Sequence, residues 1–182
     1  MNNFNLVAEN PESTVVASYQ PQQKERSNAY QSEADLEKAF ITQLQAQAYE
    51  YINIDSEQAL IDNLRKQLEK LNHIQFSDSE WDNFFKSKIA NSSSGIVEKT
   101  AIIQEDHIQI LKRDDGSEKN IYLLDKDDIH NNSLQVLNQY ATSADQRENR
   151  YDVTILVNGL PLVHVELKRR GVDIKEAFNQ IN

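Results

Sequence analysis

The 182-residue sequence contains no cysteine, one tryptophan, one methionine, four glycines and three prolines. Without cysteine, neither a disulfide nor a thiolate metal site can form. The longest apolar runs are far shorter than the roughly 18 residues that a membrane-spanning helix needs. The N-terminus also lacks the basic-then-apolar pattern of a secretory signal. We therefore expect a cytoplasmic protein with no membrane partner.

Basic residues are scarce, with 19 Lys and Arg against 29 Asp and Glu and a formal net charge of −10 at pH 7. A protein that binds DNA by itself needs clustered Lys and Arg to neutralise phosphates. Six basic and four acidic residues between Arg147 and Lys175 make this segment locally positive. We expect DNA contact to be confined to this segment, while other subunits or domains supply most of the binding.

The sequence predicts a flexible tail followed by one domain. Residues 1–30 are rich in Asn, Gln and Ser, which is typical of an extended tail with at most a short pairing segment around 13–17. Residues 31–182 are long enough for a hydrophobic core and alternate between helical and strand periodicity. The predicted fold class is α/β, with a mixed β-sheet flanked by helices.

Helix caps and apolar periodicity place the elements. Predicted helices cover residues 32–48, 56–72, 78–89 and 173–180. Residues 96–104 fit either a helix or a strand. Predicted strands cover residues 49–54, 107–112, 120–124, 133–139, 153–157 and 162–167.

The most informative stretch runs from Arg150 to Lys168, where Asn158-Gly159 joins two apolar β-runs and so predicts a hairpin. Carboxylates are almost never fully buried unless they are paired or bind a metal. The presence of Asp152 and Glu166 in this apolar hairpin therefore requires a physical explanation. Because Glu166 and Lys168 are two apart on one strand, they share a face.

Register decides whether the two carboxylates meet. A regular two-residue turn would set Tyr151 opposite Glu166 and turn Asp152 to the other face of the sheet. One extra residue, as a bulge or as a three-residue loop through Leu160, sets Asp152 directly across from Glu166. Because Pro161 cannot donate a ladder hydrogen bond, it favours such an irregular connection. We predict the irregular register.

Two carboxylates and a lysine suit metal-assisted hydrolysis of a phosphodiester. The carboxylates hold Mg²⁺, and the lysine orients or deprotonates the attacking water and stabilises the oxyanion. As a bare pattern, acid-x-Lys is weak, because Asp173-Ile-Lys175 repeats it. A surface ion-pair ladder on an edge hairpin is the alternative interpretation.

The stretch Arg150-Tyr-Asp-Val-Thr-Ile-Leu-Val-Asn-Gly-Leu-Pro-Leu-Val, with Val165-Glu-Leu-Lys168 and Ala177-Phe-Asn-Gln180, closely resembles a known family. It is similar to the N-terminal endonuclease domain of the R (restriction and translocation) subunit of type I restriction enzymes, in the PD-(D/E)xK nuclease superfamily. Three further segments fit the same family, at residues 31–37, 78–81 and 120–125.

This resemblance implies a Mg²⁺-dependent endonuclease domain at residues 31–182 that hydrolyses phosphodiester bonds of double-stranded DNA. Asp152, Glu166 and Lys168 would be catalytic, with Asp152 and Glu166 as metal ligands. Gln180 would begin the family's Gln-x-x-x-Tyr element, whose tyrosine would fall two positions beyond Asn182. Methyltransferase and specificity subunits would be partners.

We expect the ATP-dependent motor region to lie outside this sequence, in which no Gly-x-x-x-x-Gly-Lys-Ser/Thr loop occurs. ATP would then serve only the full-length subunit. The motor and that tyrosine are both expected outside this sequence. The resemblance is therefore compatible with a fragment that folds but does not cut DNA by itself.

Further residues are expected near the site. Glu33 and Glu37 lie on the apolar stripe of the first predicted helix, and we favour Glu37 as a third acid, since nucleases of this class often carry one there. Helix-dipole stabilisation by Glu33 and an edge position for Glu37 are the alternatives. His164 shares a face with Glu166, although a lone strand histidine is more often structural. The residues expected to contact DNA phosphates are Arg169, Arg170 and Lys175.

Two other functions stay open. One is a non-catalytic docking module of the same complex, whose acidic surface meets basic partners. The other is a different metal-dependent phosphodiesterase that acts on RNA or nucleotides. A contact surface on the long helices would favour the first, and a closed small-molecule pocket the second.

Overall fold

The computed structural model describes residues 4–10, 14–19, 32–91, 93, 95–142 and 149–168. The chain divides into two compact units, 1–30 and 31–182. In the first unit, strands β1 (Phe4–Asn10) and β2 (Thr14–Tyr19) pair antiparallel, with a register shift between Leu6 and Ala8. The pairing is therefore more extensive than the short segment predicted around residues 13–17. Valines at both arms favour strands there despite the polar composition.

The second unit contains helices α1 (Glu33–Ala46), α2 (Glu57–Asn72), α3 (Asp78–Phe84) with a π-helical turn (Phe85–Ile89), and α4 (Ile96–Gln104). The side chains of Ser32, Ser56 and Ser77 accept hydrogen bonds from backbone N–H groups three residues on, which satisfies donors that the helix leaves unpaired. Asp35 and Glu80 complete capping boxes at α1 and α3. The predicted starts of α1, α2 and α3 are confirmed, and residues 96–104 are helical. The helix predicted at 173–180 lies outside the described residues.

None of the helices in the described ranges combines the length and apolar character that crossing a membrane requires.

The central sheet has four strands in the order β3 (Glu50–Tyr51), β6 (Leu134–Thr142), β7 (Asn149–Val157) and β8 (Leu160–Val165). Strands β3 and β6 run parallel and the other pairs antiparallel, so the sheet is mixed, as predicted. Strand β3 has two residues rather than the six predicted at 49–54. Strands β4 (Ile108–Lys112) and β5 (Glu118–Tyr122) form the second predicted hairpin, which turns at Gly116.

Helices cover both faces of the four-stranded sheet. Val136 of β6 packs against the cluster that contains Ile41 and Leu44 of α1. The adjacent Gln135 accepts a hydrogen bond from Asn63 of α2 at 2.9 Å. Because neighbouring strand residues point to opposite faces, α1 and α2 lie on opposite sides of the sheet. The α/β architecture predicted from the sequence is confirmed.

The larger hydrophobic cluster lies on the α2 side and includes the aromatic residues of α3. Trp81 and Phe84 are buried in it with Leu68 of α2 and Ile121 of β5. Burial of each such side chain contributes about 1.5–3 kcal/mol. These aromatic residues are therefore part of the hydrophobic core.

Candidate active site

The hairpin predicted at residues 150–168 is formed by β7 and β8. Its connection is a two-residue turn, Asn158 and Gly159, with φ angles of 51° and 82°. Both angles are left-handed, as a type I′ turn requires, and Asn-Gly is the sequence that adopts them most readily. At the turn itself, Val157 pairs with Leu160 in the regular register.

The pairing shifts midway along the hairpin, because Leu162 is an extra residue of a β-bulge in β8. Beyond the bulge Val153 pairs with Val165. The next residues outward, Asp152 and Glu166, are therefore in line across the two strands. The irregular register is confirmed, and of the two connections considered from the sequence the structure contains the bulge.

The carboxylate of Asp152 is bonded to the chain just past β8. Its Oδ2 accepts a hydrogen bond of 2.7 Å from the backbone N–H of Leu167. The regular ladder between β7 and β8 ends at Val165, so this side chain continues the cross-strand connection for two more residues. Asp152 thereby holds the segment that carries Glu166 against β7.

Glu166 and Lys168 form an ion pair with an O–N distance of 2.7 Å. Their side chains are only 10% and 17% exposed, so neither is an ordinary surface charge. The hydrogen bond to Glu166 raises the pKa of Lys168, burial opposes this shift, and the charges of Glu166, Glu33 and Asp152 add to the increase. Three carboxylates thus act on one ammonium group, which keeps its proton at neutral pH.

The two glutamates of α1 lie in different surroundings. The charge of Glu33, in the first turn, reaches Lys168. Glu37 instead accepts a hydrogen bond of 2.6 Å from the side chain of Asn138, and the hydroxyl of Tyr51 donates to the other end of that amide at 2.7 Å.

Asn138 pairs with Val153, so it lies on the α1 face of the sheet, whereas the neighbouring Asp152 points to the other face. The proposed metal role of Glu37 stays a prediction, and Glu33 is the acid whose charge acts on the site lysine. Sequence reasoning did not single out Asn138, although a polar residue in line with Leu134 and Val136 on a core-facing strand was a usable signal.

The next cross-strand pair on the same face of the hairpin as the carboxylates is polar as well. The hydroxyl of the buried Thr154 lies 3.0 Å from Nδ1 of His164, its partner across the strands. Part of the histidine is exposed, yet the protein around its ring displaces enough water to lower its pKa. A neutral imidazole that bonds to a buried threonine fits the structural role that a lone strand histidine usually has.

Four predicted site residues lie outside the described part of the chain, namely Arg169, Arg170, Lys175 and Gln180. Within the part that the structure does describe, no group of three or more His, Cys, Asp or Glu side chains is arranged to hold a metal ion. The described site therefore consists of two aligned carboxylates, one lysine and the nearby charge of Glu33.

Comparison with known proteins gives a consistent result. The family model described as "Type I restriction enzyme R protein N terminus (HSDR_N)" matches residues 30–182. The chain is 45% identical over 177 residues to the "Type I restriction enzyme EcoprrI endonuclease subunit" of Escherichia coli, an alignment that covers 97% of this chain and 56% of that protein.

Two staphylococcal proteins are also similar. The "Type I restriction enzyme SsaAORF53P endonuclease subunit" of Staphylococcus saprophyticus is 43% identical over 157 residues. The "Type I restriction enzyme SauMSSORF170P endonuclease subunit" of Staphylococcus aureus is 41% identical over 158 residues. Each alignment covers 84% of this chain and 16% of the relative, so the chain spans only part of the length of these relatives.

Proposed function

Because the chain belongs to the family of type I restriction enzyme R protein N termini, we propose that it is the endonuclease domain of such a subunit. The reaction would be Mg²⁺-dependent hydrolysis of phosphodiester bonds in double-stranded DNA. The observation that carries the proposal is the bulge at Leu162, which aligns Asp152 with Glu166. A surface ion-pair ladder would not require these side chains to be largely buried, as Glu166 and Lys168 are.

The donor set fits a hard divalent cation, since carboxylate oxygens are the protein ligands that Mg²⁺ prefers. Asp152 and Glu166 would hold it. When bound, Mg²⁺ would activate water and neutralise charge on the scissile phosphate. Asp152 uses Oδ2 to accept the Leu167 N–H, which orients its carboxylate before any ligand arrives.

Lys168 is suited to stabilising charge rather than to removing a proton. Its raised pKa keeps the ammonium protonated, so it donates hydrogen bonds. A positioned ammonium beside the scissile phosphate would orient the attacking water and stabilise the charge that develops on the phosphate oxygens. A protonated Lys168 suits the orienting and charge-stabilising roles predicted for it.

The wider assembly is part of the same proposal. The names of the relatives describe endonuclease subunits of type I restriction enzymes. We propose that methyltransferase and specificity subunits supply target recognition, and that an ATP-dependent motor in the rest of the subunit delivers the DNA. The net charge of −10 supports this division, because the domain has too few cations to hold DNA by itself.

The proposal is tested in the intact subunit assembled with its partners. The variants Asp152→Ala, Glu166→Ala and Lys168→Ala should each abolish DNA cleavage while ATP hydrolysis continues. Lys86→Ala, which breaks an exposed ion pair with Asp82, serves as the control and should cut normally. If the three site variants lost cleavage and ATP hydrolysis to the same degree, the residues would have a structural role and the proposal would fail.

A further inference from the structure

Asn158, the first residue of the β7–β8 turn, is fully buried, although turn residues usually face solvent. Its Oδ1 accepts a hydrogen bond of 2.8 Å from the backbone N–H of Ser133. Its Nδ2 donates to the carbonyl of Leu123 at 3.0 Å and to Oδ1 of Asn132 at 2.7 Å. Both ends of the amide are therefore used within the protein.

The partners of Asn158 connect the turn to two other elements. Leu123 directly follows β5, and Ser133 directly precedes β6. Asn132 is itself fixed, because its Oδ1 accepts from the N–H of Asp125 at 2.9 Å and its Nδ2 donates to the carbonyl of Asp125 at 2.7 Å. The turn is thus bonded to a loop whose own conformation is held by side-chain amides.

Gly159 adds a third contact, with α2. A Cβ atom at this position would lie 2.6 Å from Cα of Leu64, closer than real Cβ contacts come. The turn therefore packs directly on the helix backbone, and only glycine permits both this approach and the φ of 82°. Any shift of the turn along the hairpin would require α2 to move.

We propose that the buried turn Asn158-Gly159 is a positioning device that sets the alignment of Asp152 with Glu166. It determines where pairing between β7 and β8 begins, and the bulge then leaves Leu162 out of the pairing, which brings the carboxylates into line. A slip of one residue would send Glu166 to the opposite face. Asn158 lies six residues from Asp152, about 20 Å along an extended strand, so it acts on the site only through the register.

The significance of this alignment for catalysis rests on the proposed function, but the alignment itself is measurable without metal or DNA. Its marker is the Leu167 amide, whose hydrogen bond to Asp152 exists only in this register. Asn158→Gly removes the three side-chain hydrogen bonds and keeps the positive φ accessible.

The matched control is Asn72→Ala. Asn72 also makes three side-chain hydrogen bonds, but none involves the β7–β8 turn. One, to the carbonyl of Leu68, lies within α2, and the other two, to the carbonyl and from the N–H of Tyr122, join α2 to β5. Amide hydrogen exchange is measured on the full chain in wild type and both variants. Protection at Leu167 is expressed relative to the core amide of Ile41 in α1, so that global destabilisation cancels.

We expect relative protection of Leu167 to fall by about tenfold or more in N158G and to stay near wild type in N72A. Equal behaviour of the two variants would overturn the proposal. Should N158G not fold, Asn132→Ala removes one of the three bonds and is measured in the same way.

Mn²⁺ titration of the same samples separates this inference from the proposed function. If wild type bound no Mn²⁺, the proposed function would fail, while the exchange data would still decide the role of the turn. If N158G lost protection at Leu167 but bound Mn²⁺ as tightly as wild type, the turn would not position the carboxylates and the inference would be overturned.

Discussion

The carboxylate of Asp152 accepts a hydrogen bond of 2.7 Å from the backbone N–H of Leu167, one residue past Glu166. Asp152 therefore has two separable roles. Its oxygen bonds the two strands together at the end of the hairpin, and its negative charge is one of three that raise the pKa of Lys168. A substitution that keeps the oxygen and removes the charge distinguishes them.

Asp152→Asn and Asp152→Ala should differ in stability but not in metal binding. The asparagine oxygen still accepts the Leu167 N–H, so we expect D152N to keep the free energy of unfolding to within about 1 kcal/mol, whereas D152A loses about 1–2 kcal/mol. Both should abolish Mn²⁺ binding, measured by calorimetry, because a neutral side chain is a poor ligand. Retention of Mn²⁺ affinity in D152N would show that Asp152 is structural.

A second pair of variants tests which glutamate of α1 contributes to metal binding. We expect Glu33→Gln to weaken Mn²⁺ affinity by about tenfold, because it removes charge that reaches the site. Glu37→Gln should leave the affinity unchanged, since a glutamine oxygen still accepts from Asn138. The opposite result in the same calorimetric experiment would support the sequence-based choice of Glu37.

Two variants, one that shortens β8 by one residue and one that lengthens it by one residue, test whether the register governs metal binding. Deletion of Leu162 should preserve Mn²⁺ binding, because Ile155 already pairs with Val163 and Asp152 stays opposite Glu166. Insertion of a glycine after Leu162 moves Glu166 to the other face and should abolish binding. Calorimetry with both chains checks this, and the same affinity in the two would mean that register does not govern the site.

Gly159 and Gly116, which both have left-handed φ angles, should respond differently to alanine. Gly159→Ala adds a Cβ 2.6 Å from the backbone of Leu64 in addition to an unfavourable φ, and should cost more than about 3 kcal/mol of stability. At Gly116 the φ is similar, 84°, but nothing lies within 4 Å of the added atom, so its alanine variant should cost about 1–2 kcal/mol. Urea unfolding of both variants measures the difference, and equal costs would mean that the contact with α2 is not rigid.

The Lys168–Glu166 ion pair should contribute stability that disappears at high pH. The pKa of Lys168 is raised above its ordinary value of 10.5, so its contribution is complete below that value and is lost as pH rises through the folded-state pKa. Lys168→Met should lower the free energy of unfolding by about 1–3 kcal/mol at neutral pH, since Glu166 loses its partner. The gap to wild type should stay constant up to pH 10.5 and narrow as pH rises above that value.

Urea unfolding across that pH range is the measurement for Lys168→Met. Lys86→Met is the control, because its partner Asp82 is exposed and such pairs contribute about 0–1 kcal/mol. A gap between K168M and wild type that stayed constant with pH would contradict the assignment of the shift to this ion pair.

Local rules in the sequence determined much of this protein. Serine caps specified where α1, α2 and α3 begin, and Asn-Gly between apolar runs specified the hairpin, because both depend on residues close together in the chain. Alternation along the strand placed Glu166 and Lys168 on one face. The residue pattern of the hairpin also indicated the family.

Only the tertiary structure decided which groups meet across elements. The sequence favoured the irregular register but not the position of its bulge at Leu162, since the bulge depends on how β8 fits β7 while the turn is fixed against α2. It favoured Glu37 over Glu33 for the metal site, although both lie on one helix stripe and their spacing does not distinguish them. The partner strand separates them: Asn138 of β6 binds Glu37, whereas the charge of Glu33 reaches Lys168, and such contacts are set by packing rather than by spacing in the chain.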